Sequence, residues 1–458
     1  LNPSAAFDEH DKLIFCKLWD ERKPRKQGDP YDFQIFTRET QAETEKALYE
    51  RVSNLYEEGR KQDPEVFKEG IRLSPSKVRT VVSYLESINL SETDLDSKGR
   101  AFETFLGSFF RGDFGQYFTP RPIVQFIVDV LPIKSSSLVL DTSCGSGGFL
   151  LHALDKIREE ADEYHEPGTA AHYRHWHDFA ENNLYGIEIN EQIARTAKMN
   201  MIIHDDGHTN VVSHDGLEPP EAVRENTSNQ GFQEERFDFI LTNPPFGSKV
   251  KQAERAYFNQ YRLTLNKEDW LRPKSRETTR ASQSTEVLFI EQCHRYLTEG
   301  GYLAVVIPDS ILTNSSLQYV RDEIEEMYRV VAVVSMPQTA FSATGAGVKS
   351  SVLFLRKHTA EETERIRRTK RKLKDGIREE YKLKERLKDI NAEKRRILRE
   401  LEGFENPDDL EGEELKNDER YETWRKDVLA HFREERDDVR FELEQVYEER
   451  KSEELHDY

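Results

Sequence analysis

Cysteine is scarce in this sequence. Only Cys16, Cys144 and Cys293 occur among 458 residues, none in a CxxC spacing, which excludes a disulfide framework and a cysteine-rich zinc site. Long apolar runs are missing too: hydrophobic residues make up 36% of the chain, and no stretch reaches the roughly 18 consecutive apolar residues that a membrane span requires. No basic-then-apolar leader opens the sequence, so a non-secreted protein in a reducing, cytoplasmic setting is the expectation. The start at Leu1 rather than Met adds the expectation that an N-terminal portion is missing. Basic side chains are in deficit, 67 against 87 acidic, for a net charge of -20. Over the whole chain that balance argues against a phosphate-rich partner, because phosphates are neutralised by a basic surface. The inference has to be tested region by region.

Three segments differ in character. Residues 1–110 read as a helical domain: Thr40 to Glu58 and Pro75 to Leu90 carry apolar residues at helical spacing, with Val78, Val81, Val82, Leu85 and Ile88 forming one stripe. Residues 111–357 alternate short β-branched runs with helical stretches and glycine turns. The strand candidates are Ser137 to Asp141, Leu184 to Glu188, Asn210 to Ser213, Phe237 to Thr242, Gly301 to Ile307, Val330 to Ser335 and Ser350 to Leu355. The first five are spaced widely enough for crossover helices, which predicts an α/β domain with a mainly parallel sheet. Residues 358–458 read as a charged helical arm. Within it Arg365 to Arg399 holds 16 basic and 6 acidic residues, while Glu400 to Tyr458 holds 9 and 23. Leu373, Ile377, Leu387, Ile390, Leu398 and Leu401 recur at near-heptad spacing, predicting one long helix with an apolar seam. Such a seam has little to bury against inside its own segment, so a partner-docking arm is expected beside the plainer reading of a helical pair folded on itself.

Chemistry concentrates in the middle segment. An apolar strand ends at Asp141 and is followed by Thr142-Ser-Cys-Gly-Ser-Gly-Gly148, a glycine turn that lets the backbone bend at a strand's carboxyl end and approach a ligand. The spacing is not GxGxxG, and Asp141 would repel a pyrophosphate, so a cationic or amino-bearing cofactor fits better. Glu188 ends the next strand, where a carboxylate can accept two ribose hydroxyls, and Asp215 follows the third, placed to accept from a cofactor amino group. Between Asp141 and Glu188 the chain is long enough to demand an inserted helical excursion. The segment Phe237 to Gly247 then runs from an apolar strand into Asn243-Pro244-Pro245-Phe246. Two prolines end the ladder and stiffen the backbone, leaving the Pro244 carbonyl without a regular partner beside the Asn243 amide oxygen. Two acceptors at one point can take both hydrogens of a planar exocyclic amine and restore its nucleophilicity, and Phe246 offers a face for a flipped-out base. His172, His175 and His177 lie close together without a carboxylate or cysteine at matching spacing, so no metal is expected. There is no phosphate loop, helicase signature or nuclease cluster.

Together, Asn243-Pro-Pro-Phe246, the turn Asp141-Thr-Ser-Cys-Gly-Ser-Gly-Gly-Phe149 and the upstream Gly115-Gln-Tyr-Phe-Thr-Pro-Arg121 resemble the N6-adenine DNA methyltransferases. The motif order is similar to the gamma class, specifically to modification subunits of type I restriction-modification systems, and the similarity spans roughly residues 75 to 357. It implies a seven-stranded Rossmann-like S-adenosylmethionine-dependent methyltransferase domain with its last strand antiparallel. It implies cofactor contacts from Gln116, Tyr117, Phe118, Thr119, Pro120, Arg121, Asp141, Ser143, Cys144, Gly145, Gly147, Glu188 and Asp215, with Asn243, Pro244, Pro245 and Phe246 catalytic. The family commonly has proline where this chain has Thr142, and its helical N-terminal domain is longer than the one here. The implied partners are double-stranded DNA, a specificity subunit in a complex of two modification subunits to one, and in restriction a further subunit. Two other readings stand beside it: methylation of a protein glutamine amide, also planar and conjugated, and a DNA-tethered scaffold without turnover.

Overall fold

The computed structural model describes residues 3–26, 28–62, 69–91, 93, 119–204, 210–266, 278–341, 347–405 and 412–455. The chain divides into two compact units: residues 1–263, 281–321 and 330–357, and residues 264–280, 322–329 and 358–458.

In the first unit, helices α1 (Pro3–Arg22), α2 (Gln41–Gln62) and α3 (Pro75–Leu85) pack through Leu13, Phe15, Leu48, Val52, Val78 and Val82. The apolar stripe predicted to Ile88 is buried at Val78 and Val82, but the helix stops at Leu85 and Ile88 is exposed. The same cluster includes Met199 and Ile202 of α7 (Glu191–Ile203), so these helices share a core with the α/β layer.

The described residues build a seven-stranded sheet from β1 (Val139–Asp141), β2 (Leu184–Glu188), β3 (Val211–Ser213), β4 (Phe237–Thr242), β7 (Leu297–Pro308), β8 (Tyr328–Ser335) and β9 (Ser350–Lys357), in the order β3-β2-β1-β4-β7-β9-β8. Pairs from β3 to β7 are parallel, and β9 runs antiparallel to β7. The predicted parallel α/β sheet with an antiparallel last strand is therefore present. A pair of short strands outside the prediction, β5 (Lys249–Lys251) and β6 (Ser282–Ser284), forms an antiparallel ribbon. Helices α4 (Arg121–Val130), α5 (Gly148–Tyr164), α6 (Ala170–Asn183), α8 (Pro220–Thr227) and α9 (Thr285–Tyr296) complete the layers used below. The insertion between β1 and β2 is helical, as expected: α6 follows α5, with Thr169 capping it by accepting from the His172 N–H. The Lys156 ammonium of α5 donates to the carbonyls of Val128, Asp129 and Leu131, which satisfies orphan acceptors at the end of α4. Strand order reverses across β1 and β4, the switch point outside whose carboxyl ends open α/β sheets form a crevice.

The second unit corrects one expectation. The seam helix is not continuous: α10 (Ala360–Glu380) and α11 (Leu383–Glu400) are separated at Lys382, whose φ of 47° is left-handed. Nor does the seam lack a surface to bury against. Ile377, Leu383 and Ile390 pack with Phe432, Val439, Leu443 and Tyr447 of α12 (Glu419–Glu454). The sequence pattern identifies the apolar stripe but not the second helix that covers it. Among the described residues no helix is long and apolar enough to cross a membrane.

Candidate active site

A cavity of about 620 Å³ opens at this switch point. Its wall includes Ser143 and Gly145 from the turn after β1, Glu188 at the end of β2, Asp215 after β3, and Asn243 to Phe246 after β4. Parallel strands that end side by side bring residues separated by a hundred positions into one space. Thr142, Tyr257, Thr285 and Phe289 also line it.

The glycine turn is built by conformation. Gly145 (φ 52°) and Gly147 (φ 85°) adopt left-handed geometry, which costs glycine little. Gly145 N–H donates to Glu188 Oε2 at 3.1 Å, and Asn190 N–H to Oε1 at 2.9 Å, so the buried Glu188 carboxylate is oriented by backbone from two loops. Asp141 is deeper: 1% exposed, it does not line the cavity and instead accepts the Ser143 N–H at 3.0 Å. Burial, augmented by the Glu188 charge and opposed by hydrogen bonds from Ser143 and Thr242, pushes its carboxyl up to about 7. Cys144 also turns away, into the core against Gly186, where a larger residue would collide with its sulfur. Gly147 packs on Ala197 and Met201.

The Asn243 to Phe246 loop is held from two sides. Asn243 Nδ2 donates to Thr119 Oγ1 at 2.9 Å, while Asn243 Oδ1 is shielded from solvent and, among the described residues, accepts no hydrogen bond. A buried acceptor left unmatched costs about 1–3 kcal/mol, which an incoming donor would offset. Among the described residues no donor reaches the Pro244 carbonyl. From α9, Thr285 Oγ1 donates to the Pro245 carbonyl at 2.8 Å, and Glu286 accepts the Gly247 N–H at 3.3 Å. Phe246 is half-buried against the main core cluster and lines the cavity.

Of the residues predicted from sequence, the cavity thus gathers Ser143, Gly145, Glu188, Asp215, Asn243, Pro244, Pro245 and Phe246. Thr119 meets Asn243, Pro120 and Arg121 begin α4, and Gln116, Tyr117 and Phe118 lie outside the described residues. Thr285 and Glu286 were not anticipated, although Ser284-Thr-Glu286 ahead of an apolar run is a helix-start signal. Tyr257, from a polar stretch without periodicity, gave no signal.

A mixed sheet of this order, with a cavity at its switch point and Asn-Pro-Pro-Phe on the cavity wall, defines a Rossmann-like methyltransferase domain. The chain belongs to the N-6 DNA methylase family, whose model matches residues 93–414. It is similar to the type I restriction enzyme EcoEI methylase subunit of Escherichia coli, 25% identical over 286 residues that make up 61% of this chain and 50% of that protein. The type I restriction enzyme MjaIX methylase subunit of Methanocaldococcus jannaschii is 31% identical over 173 residues, 37% of this chain and 26% of that one. The chain spans about half the length, or less, of these curated relatives. A solved structure from work on complex assembly and conformational transition of the type I R-M system aligns with a TM-score of 0.53 at 19% identity, covering 78% of this chain and 70% of that one, which shows a common fold.

Proposed function

We propose that this chain methylates the N6 amine of adenine in double-stranded DNA, using S-adenosylmethionine, as the modification subunit of a type I restriction-modification complex. One observation carries the reading: the Asn243, Pro244 and Phe246 group and the Glu188 and Asp215 carboxylates line the same cavity. An amine-holding motif and two acceptors suited to a nucleoside share one space.

The residues present fit S-adenosylmethionine. The Glu188 and Asp215 carboxylates on the cavity wall, with Asp141 behind it, favour a ligand with hydroxyls, an amine and positive charge over a phosphate-bearing one; the unmatched Asn243 Oδ1 awaits a donor from the target base. When bound, the cofactor supplies a methyl group on a sulfonium, already activated for transfer. In this reading Glu188 accepts ribose hydroxyls and Asp215 the amino group of the cofactor's base. Ser143 and Gly145 form the turn beneath it, Cys144 and Gly147 act through the shape of that turn, and Asp141 acts by charge from behind. Residues 116–121 are assigned to cofactor contact. Asn243 Oδ1 and the Pro244 carbonyl accept the two hydrogens of the target amine, Pro245 keeps the loop stiff, and Phe246 stacks on the flipped base. Positioning and exclusion of water carry most of the work.

In the assembled complex residues 1–110 and 111–357 serve as helical and catalytic segments, and residues 358–458, whose apolar seam is covered within their own unit, dock through their exposed charged surface. A separate specificity subunit reads the DNA site, in a complex of two modification subunits to one, which a restriction subunit can join. The net charge of -20 agrees with a subunit that binds DNA weakly alone and relies on a partner for phosphate contacts. The test is transfer of isotope from labelled S-adenosylmethionine. Label in adenine of duplex DNA supports the reading; label in protein glutamine, or none from the complete complex, overturns it. Removal of residues after 358 is expected to abolish co-purification with the specificity subunit, and retained assembly would refute the docking role.

A further inference from the structure

The segment that follows the Asn-Pro-Pro-Phe loop reaches back to the opposite side of the cavity. Tyr257 sits in a short 3-10 turn, Ala256–Gln260, whose Tyr257 and Phe258 pack with Leu217, Tyr261, Leu288 and Phe289. Its ring is buried and lines the cavity, and its hydroxyl donates to Asp215 Oδ2 at 3.0 Å. The other carboxylate oxygen, Oδ1, accepts the Leu217 N–H at 3.0 Å. Both oxygens are therefore held, from different parts of the chain, and the carboxylate plane cannot rotate without breaking one bond. Arg255 lies 3.9 Å from Oδ2 and is half exposed, too distant and too solvated to fix the group.

Resting on the cofactor reading above, we propose that Tyr257 is a positioning residue for Asp215: its hydroxyl holds the carboxylate in the orientation that accepts the amino group of the cofactor's adenine. The direction of donation is unambiguous, because an ionised carboxylate only accepts and Asp215 is left with lone pairs for one more donor. Burial and the Asp215 charge raise the phenol well above its ordinary pKa, so it remains a donor through the working range of pH. A residue from the segment after the Asn-Pro-Pro-Phe loop thereby sets the selectivity of the cofactor side for an amine over a carbonyl.

The test compares two probes on the full chain by calorimetry: S-adenosylhomocysteine, and S-inosylhomocysteine, in which a carbonyl replaces the amine. Tyr257→Phe keeps the ring and removes the donor. It is expected to weaken S-adenosylhomocysteine about five- to tenfold, in the range of one ordinary hydrogen bond because the effect reaches the ligand only through Asp215, and to leave S-inosylhomocysteine within about twofold. Asp215→Asn is expected to show the same selectivity loss, with the double variant no worse than Asp215→Asn alone. Equal weakening of both probes would reduce Tyr257 to ring packing, and unchanged S-adenosylhomocysteine affinity would remove its role; either overturns the inference. If the unmodified chain binds neither probe, the cofactor reading itself fails, a result distinct from a wild-type chain that binds while the variant shows no selectivity change.

Discussion

Acidic side chains are treated in opposite ways by the two units of this molecule. In the first, Asp141 and Glu188 are 1% and 4% exposed, at the ends of parallel strands, and receive backbone N–H groups. In the second, acidic residues such as Glu442 and Glu380 stand on helix surfaces and meet Arg386 and Arg450 across solvent-exposed pairs at 2.7 Å. The first arrangement costs desolvation and is maintained by fixed backbone donors; the second costs little and stabilises little. Abundance of charge is thus a poor guide to where chemistry occurs. The informative charges are the few that the fold removes from water.

The largest expected effect breaks the cavity side of this contrast. Asn243→Ala should lower methyl transfer at least about a hundredfold, as for loss of a group that acts at the reacting centre, while S-adenosylhomocysteine affinity stays within about twofold; a matching loss of affinity would mean that Asn243 belongs to the cofactor side. The helical unit is tested by Leu443→Ala. Removing this fully buried side chain between α10, α11 and α12 should cost about 2–5 kcal/mol in the denaturant transition of that unit, with ligand affinity of the cavity unchanged.

Asp141 supplies a pH signature that the exposed carboxylates lack. Its folded pKa of about 7 lies above the ordinary carboxylate value, so the protonated form is the one that folding favours. Its contribution to stability is complete below about pH 4 and is lost as pH rises through about 7. Urea denaturation of the ligand-free chain across that window should show wild-type stability falling relative to Asp141→Asn, by a few kcal/mol in order of magnitude; parallel pH curves would show that Asp141 is ionised in the fold. A positively charged ligand nearby favours the anion, so binding should take up hydroxide and tighten as pH rises. The smallest effect belongs to the arm's surface: Arg386→Ala, breaking the pair with Glu442, should change stability by less than about 1 kcal/mol, measurable as a difference in denaturation midpoint.

Particular elements show what could be read in advance. Leu184–Glu188 and Phe237–Thr242 match the predicted strands residue for residue because each is an apolar run closed by an abrupt change of character, an acidic terminus in one and Asn-Pro-Pro in the other. The β5 and β6 ribbon was not legible: Lys249-Val-Lys251 and Ser282-Gln-Ser284 carry one apolar residue between them, so no alternation marks them. Cys144 and Asp141 illustrate a subtler limit. Position in a motif does not say which way a side chain turns, and here one enters the core and the other caps a turn behind the cavity wall.

Local chemistry in the sequence determined the strand ends, the glycine turn and the stiff Asn-Pro-Pro-Phe loop, because backbone permissiveness and proline geometry act over a few neighbouring residues. Tertiary structure alone decided that Tyr257 faces Asp215, that Thr119 receives the Asn243 amide and that α12 covers the arm's apolar seam. Those pairings join residues 42 and 124 positions apart, or separate helices, and they exist only once burial of the cores has fixed where each element lies.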